Sequence, residues 1–145
     1  MPTYTVWAEP NVIDRTIRKD IAHSFTEIHH EVARAPRYFV QVVFAALDDE
    51  SIYLAGRPAG EGHIWVRADI RAGRTDEQKN ELIERILTEL SALTGVSPEH
   101  IWVYISDIPG PSVAEFGRVL PHPGGEDAWF ASLPEDLKAQ LREQA

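Results

Sequence analysis

Apolar and polar side chains follow a pattern along this chain that predicts alternating strands and helices. Residues 3–8 alternate in character, as in a strand with one covered face, whereas residues 39–44 are nearly all apolar, as in a strand covered on both faces. Between them, Asp14 can cap a helix. That helix carries an apolar stripe at helical spacing, made of Ile17, Ile21, Phe25, Ile28 and Val32. The first half therefore predicts a strand, a helix and a second strand.

The same order of elements recurs in the second half at a shift of 61 positions. Residues 3–6 then coincide with residues 64–67, and residues 40–44 with residues 101–105. Thr75 and Gln78 form a capping-box pattern where the second helix begins, and Gly95 follows its last turn. The inward positions of this helix are predicted to be Leu82, Ile83, Ile86, Leu87, Leu90 and Leu93.

Two such units side by side predict an α/β (α+β) fold, with a four-stranded sheet and both helices on one face. A chain of 145 residues, 43% of them hydrophobic, can bury one core, so we expect a single domain over residues 1–145. Its pseudo-repeats would span residues 2–61 and 63–122. Four Trp and the apolar strand positions make the uncovered sheet face too hydrophobic for water, so we expect an oligomer to bury it.

The segment after the repeat is predicted to form a hairpin and a tail, the tail covering residues 123–145. A short hairpin or strand is expected from Glu115 to Leu120, followed by a loop from Pro121 to Gly125. The tail itself is predicted to be one short amphipathic helix. Its apolar positions are Trp129, Phe130, Leu133, Leu137 and Leu141.

Composition limits the classes of function. The chain has no Cys, which excludes disulfides, thiolate catalysis and Cys-based zinc sites and fits a reducing cytoplasm. The formal net charge of −9 argues against nucleic acid or an anionic membrane as a partner. No apolar run approaches the roughly 20 residues of a membrane span, and no signal peptide is recognisable. An acidic protein of this kind can bind a small anion only through a local cationic pocket.

Pro2 is a candidate for acid–base chemistry, because a penultimate residue this small allows methionine aminopeptidase to remove Met1. The mature chain would then begin with a secondary amine, and the pKa of an α-amino group is about 8. Burial or a neighbouring cation lowers such a pKa, and a carboxylate raises it. An amine of this kind can carry a proton in catalysis near neutral pH. Taken alone, the presence of Pro2 favours the simpler interpretation that it is an ordinary residue after the start codon, without a catalytic role.

Arg71 and Arg74 are candidates for binding a carboxylate. They lie between the end of a predicted strand and the capped start of a helix, with Gly73 allowing close backbone approach. Two guanidinium groups beside the backbone amides of a helix N-terminus suit bidentate binding of a carboxylate. On their spacing alone, two solvated loop arginines are an equally good interpretation.

Three further side chains are singled out by their setting. His29 lies on the inward edge of the first helix, where a hydrogen-bonded packing role is the simpler interpretation. Tyr104 has a hydroxyl among apolar strand residues, and Glu115 lies in an apolar segment that could tune a carboxyl group. A metal site is not expected, because no HxH or HxxxH pattern occurs.

With these residues together, the chain resembles the tautomerase superfamily and, within it, the cis-3-chloroacrylic acid dehalogenase group. Members of that group consist of two fused β-α-β units. The likeness runs from Pro2 to about Leu141. Besides single residues, it rests on the segments Arg71-Ala72-Gly73-Arg74, His100-Ile101-Trp102-Val103-Tyr104, Glu115-Phe116-Gly117-Arg118 and Trp129-Phe130. The chain has Phe116 where the dehalogenase has Tyr. Its connection over residues 34–38 looks more like that of the hydratase-type homologues.

The resemblance implies an enzyme that adds water to small unsaturated carboxylates without a cofactor or metal. The family's six catalytic positions fall on Pro2, His29, Arg71, Arg74, Tyr104 and Glu115. It implies that the arginines and His29 hold the substrate carboxylate. Glu115, aided by Tyr104, would activate water, and the cationic Pro2 amine would protonate the α-carbon. A 3-haloacrylate or an acetylenic acid would give malonate semialdehyde, which some members decarboxylate. The family forms trimers, so we expect a homotrimer.

Two other interpretations remain open at the level of sequence. The chain could be a plain keto–enol tautomerase that uses Pro2 as a base on a 2-hydroxydienoate or an aryl enolpyruvate. It could also be a non-catalytic trimeric binding module. Fold alone does not separate these functions. The intact set of six residues favours an enzyme, because a binding module has no need of Glu115 together with Tyr104.

Overall fold

A computed structural model describes residues 2–60 and 62–145 of the chain. The first half contains strand β1 (Pro2–Ala8), helix α1 (Arg15–Ala33) and strand β2 (Gln41–Ala46). The Asp14 side chain caps α1, because it accepts hydrogen bonds from the backbone N–H groups of Thr16 and Ile17 at 2.8 and 3.0 Å. The predicted cap of the first helix is confirmed.

A small hairpin that the sequence did not indicate joins the two halves, with strands β3 (Tyr53–Leu54) and β4 (Arg57–Pro58). The second half contains β5 (Ile64–Arg71), α2 (Asp76–Thr94) and β6 (Ile101–Ile108). Both hydrogen bonds of the predicted Thr75–Gln78 capping box are present, and Gly95 ends α2 with φ 74°. The two helices have 19 residues each and begin 61 positions apart.

The four long strands form one sheet in the order β2-β1-β5-β6. β1 runs parallel to β2 and β5 parallel to β6, while β1 and β5 are antiparallel to each other. Each unit therefore keeps its own parallel pair, and the units join in the middle of the sheet. The predicted fold of two fused β-α-β units is confirmed.

The core lies between the sheet and the two helices. Alternate residues of β1 and β5 point into it, and all of them are buried: Tyr4, Val6, Ala8, Ile64, Val66, Ala68 and Ile70. The helices contribute buried residues at the predicted spacing, Ile21, Phe25 and Ile28 from α1 and Leu82, Ile86 and Leu90 from α2. Ile83, predicted to face inward, is only partly buried. Leu87 and Leu93, also predicted to face inward, are likewise partly buried and pack against the core.

The C-terminal segment contains the predicted hairpin, with strands β7 (Ala114–Glu115) and β8 (Arg118–Val119). The single predicted tail helix was wrong, since two helices occur, α3 (Glu126–Ala131) and α4 (Glu135–Glu143). Pro134 separates them, because it lacks the backbone N–H that a continuing helix needs. Trp129, Leu133 and Leu141 pack with Leu120 in a second apolar cluster. Within the described chain, no helix is long and apolar enough to cross a membrane.

Candidate active site

Most of the predicted catalytic residues lie near one end of the paired strands β1 and β5. Pro2 lies opposite Ile70 in the antiparallel β1–β5 pair, and Arg71 is the next residue of β5. The backbone N–H of Ala72 donates to the carbonyl oxygen of Ile108 at 2.9 Å, which fixes the chain as it leaves the sheet toward α2. The pairing of β1 with β5 thus brings the start of the chain beside the arginine segment.

Arg71 is largely buried and forms an ion pair with Glu126, at the first position of α3. Gly110 allows close approach to the backbone of Pro121, next to this arginine. A Cβ atom at Gly110 would overlap the carbonyl oxygen of Pro121 and lie 3.4 Å from Cδ of Arg71. The hairpin segment and α3 therefore pack closely around this side chain.

Arg74 lies at the last position before the Thr75 cap, and its side chain is partly buried. Burial and the neighbouring charge of Arg71 lower the pKa of its guanidinium group. Gly73, between the arginines, has φ 118°, a conformation that favours glycine. Two cations held this close together and partly withdrawn from water form a site that attracts an anion.

Both arginines open into a cavity of about 300 Å³. The wall opposite them is apolar and mostly aromatic, formed by Tyr38, Phe39, Leu120, Trp129 and Phe130. A cationic end and an apolar wall match a ligand that has a carboxylate and an unsaturated or apolar body.

His29 is fully buried on the inner face of α1. Its Nδ1 atom lies 2.8 Å from the hydroxyl of Tyr4. Burial and the charge of Arg74 lower the pKa of the imidazole to about 3, so His29 is neutral at physiological pH. Its Nε2 atom has no hydrogen-bond partner among residues 2–60 and 62–145.

Glu115 ends β7 and is partly buried. Burial raises the pKa of its carboxyl group, and the positive charge of Arg71 acts in the opposite direction. Glu115 lines a second cavity, of about 740 Å³, to which Tyr38 and Phe39 also belong. The same two aromatic residues thus border both the arginine cavity and the glutamate cavity.

Tyr104 lies apart from this cluster. It is 49% exposed on the sheet face away from the helices, and its ring contacts Trp65 and Trp102 at centroid distances of 5.7 and 6.5 Å. Within one chain, five of the six predicted residues therefore lie in one region, and Tyr104 lies outside it.

The expected removal of Met1 concerns a residue outside the described chain.

Two residues of this region were missed by the sequence analysis. Tyr4 could have been noticed, because it is a polar residue at an inward position of an alternating strand and needs a buried partner. Glu126 carried no such signal, since its contact with Arg71 spans 55 positions. In the part of the chain that the structure describes, no three His, Asp or Glu side chains are grouped so as to hold a metal ion.

Comparison with known proteins identifies the family. The model of a family described as "Putative oxalocrotonate tautomerase enzyme" matches residues 1–132. A crystal structure of a member of the cis-3-chloroacrylic acid dehalogenase family has a TM-score of 0.92 and 45% sequence identity, covering 97% of this chain and 99% of that one. This chain belongs to the tautomerase superfamily and, within it, to the cis-3-chloroacrylic acid dehalogenase family. It is thus a tautomerase-superfamily enzyme.

More distant structures of the superfamily share the fold. A native fused 4-OT has a TM-score of 0.73 and 26% identity, covering 81% of this chain and 94% of its own. A malonate semialdehyde decarboxylase inhibited by 3-bromopropiolate has a TM-score of 0.71 at 18% identity, covering 91% of this chain and 99% of its own. Comparison with curated proteins gives no match.

Proposed function

We propose that this enzyme adds water to small unsaturated carboxylates, with Pro2 as the proton carrier and without a cofactor. Its substrates would be cis-3-haloacrylates, acetylenic acids, or both. The observation that carries the proposal is that two partly buried arginines occur in the same region as Glu115, a carboxyl group whose pKa is raised by burial and lowered by the charge of Arg71. A cation pair can hold the substrate acid, and a carboxylate of raised pKa is a stronger base toward water.

Arg71 and Arg74 would bind the substrate carboxylate, with His29 as a third donor. Guanidinium groups bind carboxylates through two parallel hydrogen bonds. Drawing electron density toward the carboxylate makes the β-carbon electrophilic and stabilises the enediolate-like charge that follows attack. Glu126 already contacts Arg71. The substrate carboxylate would therefore bind Arg71 together with Glu126, or displace the Glu126 carboxylate from this arginine.

Glu115 would take a proton from water as the water oxygen bonds to the β-carbon. The cationic amine of Pro2 would then give a proton to the α-carbon. From a 3-haloacrylate, loss of halide yields malonate semialdehyde. From an acetylenic acid, the hydrated product is the enol of the same aldehyde. Decarboxylation of that product, which releases CO₂ and gives acetaldehyde, would be a further step.

We further propose that the enzyme is a homotrimer in which Tyr104 acts on a neighbouring subunit. Related fused 4-OT structures are described as trimers. Tyr104 lies on the open sheet face, with Val43 and Trp102 both 41% exposed there. Packing of this face against another subunit would remove the apolar surface from water and bring Tyr104 to a second chain.

The test is to incubate the protein with cis- and trans-3-chloroacrylate, propiolate and phenylenolpyruvate and to follow the products by NMR. Hydration or dehalogenation by wild-type protein supports the proposal. Glu115→Gln should reduce water addition by about 10²–10⁴-fold, because the amide cannot accept the proton from water. The same variant should leave tautomerisation of phenylenolpyruvate largely intact. Glu84→Gln, an exposed helix position, is the matched control.

The main alternative is a plain tautomerase, which the description of the matching family favours. The pH dependence of kcat/KM separates the two, because it reports the titration of groups in the free enzyme. If the Pro2 amine is the acid, hydration falls as the amine loses its proton. If it is the base of a tautomerase, activity rises over the same range. Turnover of phenylenolpyruvate alone, with a rising limb, would contradict the hydratase proposal.

A further inference from the structure

The contact between Tyr4 and His29 joins a strand to a helix in the interior of the protein. The Tyr4 hydroxyl and Nδ1 of His29 are 2.8 Å apart, and both side chains are fully buried. The Tyr4 ring also packs edge-on against Phe25, with ring centroids 5.1 Å apart. Tyr4 is thereby held on two sides, so its hydroxyl has a fixed place relative to the imidazole.

Both groups of this contact are neutral at physiological pH. Burial raises the pKa of the Tyr4 hydroxyl far above its usual range, so Tyr4 keeps its proton. Burial and the charge of Arg74 lower the pKa of His29 to about 3, so the imidazole carries a single N–H. That N–H is either on Nδ1 or on Nε2, and the hydrogen bond at Nδ1 decides which.

The two arrangements differ in how many polar groups stay without a partner. If Nδ1–H donates to Tyr4, then the tyrosine proton and the Nε2 lone pair both lack partners within the described residues. If the tyrosine donates to Nδ1, only Nε2–H lacks one within those residues. A buried polar group without a partner costs about 1–3 kcal/mol, so the second arrangement is favoured.

We propose that Tyr4 is a positioning residue that donates its hydroxyl proton to Nδ1 of His29 and so holds the imidazole in the Nε2–H form, ready to donate to the substrate carboxylate beside Arg74. The identity of the acceptor rests on the proposed function. The tautomer of His29 does not, because it is a property of the free protein. Fixing a donor before substrate arrives saves the cost of reorienting it during the reaction.

The first test is nitrogen NMR of the His29 ring in uniformly labelled, substrate-free protein. Wild-type His29 should show a protonated Nε2 and an unprotonated Nδ1. Tyr4→Phe keeps the ring and its packing on Phe25 but removes the donor, so a detectable fraction of the Nδ1–H form should appear. Tyr53→Phe removes a hydroxyl from a residue that is 55% exposed and should leave the His29 signals unchanged.

The second test uses acrylate, an unsaturated acid without a leaving group, as the probe. Acrylate should shift the Nε2–H resonance of His29 in the wild type. Tyr4→Phe should bind acrylate more weakly, by the factor by which the population of the Nε2–H form falls in the tautomer measurement. His29→Gln, whose amide nitrogen can reach the Nε2 position, should retain more acrylate affinity than His29→Asn, whose amide nitrogen corresponds to Nδ1.

Several results would overturn the proposal. A wild-type His29 protonated at Nδ1 would do so, as would a Tyr4→Phe protein in which the imidazole stays fully in the Nε2–H form. If His29→Asn binds acrylate more tightly than His29→Gln does, the donor to the substrate is Nδ1 and not Nε2. Absence of turnover with every unsaturated acid would contradict the proposed function, yet the tautomer measurement would still decide the role of Tyr4.

Discussion

At the scale of single residues, the two arginines of the site differ in what holds them. Arg71 is paired with Glu126. No hydrogen-bond partner of Arg74 Nε occurs within the described residues, although that atom is buried. A buried guanidinium N–H without a hydrogen-bond partner lowers the free energy of unfolding, unless a ligand accepts that hydrogen bond. Arg74 is therefore the arginine whose hydrogen bonds a substrate carboxylate would complete.

We expect Arg74→Ala to lower kcat/KM by at least about 30-fold, since losing a hydrogen bond to a charged partner costs about 2 kcal/mol. Arg74→Lys should recover only part of this, because an ammonium group cannot form the bidentate pair. Steady-state kinetics with the best substrate of the panel would measure both. Arg85→Ala is the control, since Arg85 binds Glu31 on the helix surface. Near wild-type kinetics in Arg74→Ala would place the carboxylate elsewhere.

His29 gives the protein a specific dependence of stability on pH. Its pKa is about 3 when folded and about 6.5 when unfolded, so below pH 6.5 the unfolded chain binds a proton that the folded one does not. The free energy of unfolding should therefore decrease as pH falls from 6.5 toward 3. For one group this amounts to roughly 1 kcal/mol per pH unit.

Urea unfolding at pH 5 and pH 7, at equal protein concentration, measures this effect. His29→Gln should lose less stability between the two pH values than the wild type does, because glutamine does not titrate. His23→Gln, at an exposed position of the same helix, should keep the wild-type difference. Equal pH dependence in wild type and His29→Gln would show that the imidazole is not excluded from protonation.

At the scale of elements, the start of α2 links helix stability to the site. The Thr75 hydroxyl accepts a hydrogen bond from the backbone N–H of Gln78 at 3.2 Å, and the backbone N–H of Thr75 donates to Oε1 of Gln78 at 3.1 Å. The Gln78 side chain also donates to the carbonyl oxygen of Val32, near the end of α1, at 3.0 Å. One cap thus holds the two helices together directly beside Arg74.

We expect Thr75→Ala to lower the free energy of unfolding by about 1 kcal/mol, the usual cost of losing an N-cap side chain. It should also lower kcat/KM, because Arg74 precedes the cap directly. Chemical unfolding and kinetics on the same preparations test this. Thr75→Ser should restore both properties, and Thr88→Ala, within α2, is the control for losing a threonine. A stable Thr75→Ala protein of normal activity would contradict the link.

At the scale of the whole molecule, one sheet face has no covering layer among residues 2–60 and 62–145. Helices cover only the other face, and the rings of Trp7 and Trp65 stack on the open face at a centroid distance of 4.4 Å. Trp102 and Tyr104 continue this apolar strip toward the sheet edge. Burial of such a face contributes about 25 cal/mol for each Å² removed from water, which favours association.

We expect the molar mass of the wild-type protein in solution to be about three times the 16.3 kDa of one chain. Trp102→Lys should shift the population toward monomer, because it places a charge within the apolar strip. Ala92→Lys, at an exposed position of α2, should leave the mass unchanged. Analytical ultracentrifugation over a range of concentrations measures both. A monomeric wild type would contradict the trimer and the contribution of Tyr104 from a neighbouring subunit.

Local patterns were sufficient to predict the architecture. Strand alternation, helical spacing and the two caps at Asp14 and Thr75 act over a few residues, so they can be seen in the sequence without knowing what lies across the fold. The repeat at 61 positions then predicted two such units side by side in one sheet. The exceptions also have local causes, since Pro134 separates the two tail helices and residues 53–58 form a hairpin.

The chemistry of the site depended on tertiary structure. Sequence identified Pro2, Arg71, Arg74 and Glu115 as candidates, because their residue types and the family resemblance are visible in the chain. Only the pairing of β1 with β5 and the packing of α1 on the sheet joined Tyr4 to His29 and lowered the pKa of that imidazole. Only the docking of α3 gave Arg71 its partner Glu126. Burial and distance between segments set these properties, and neither is encoded within a short stretch of sequence.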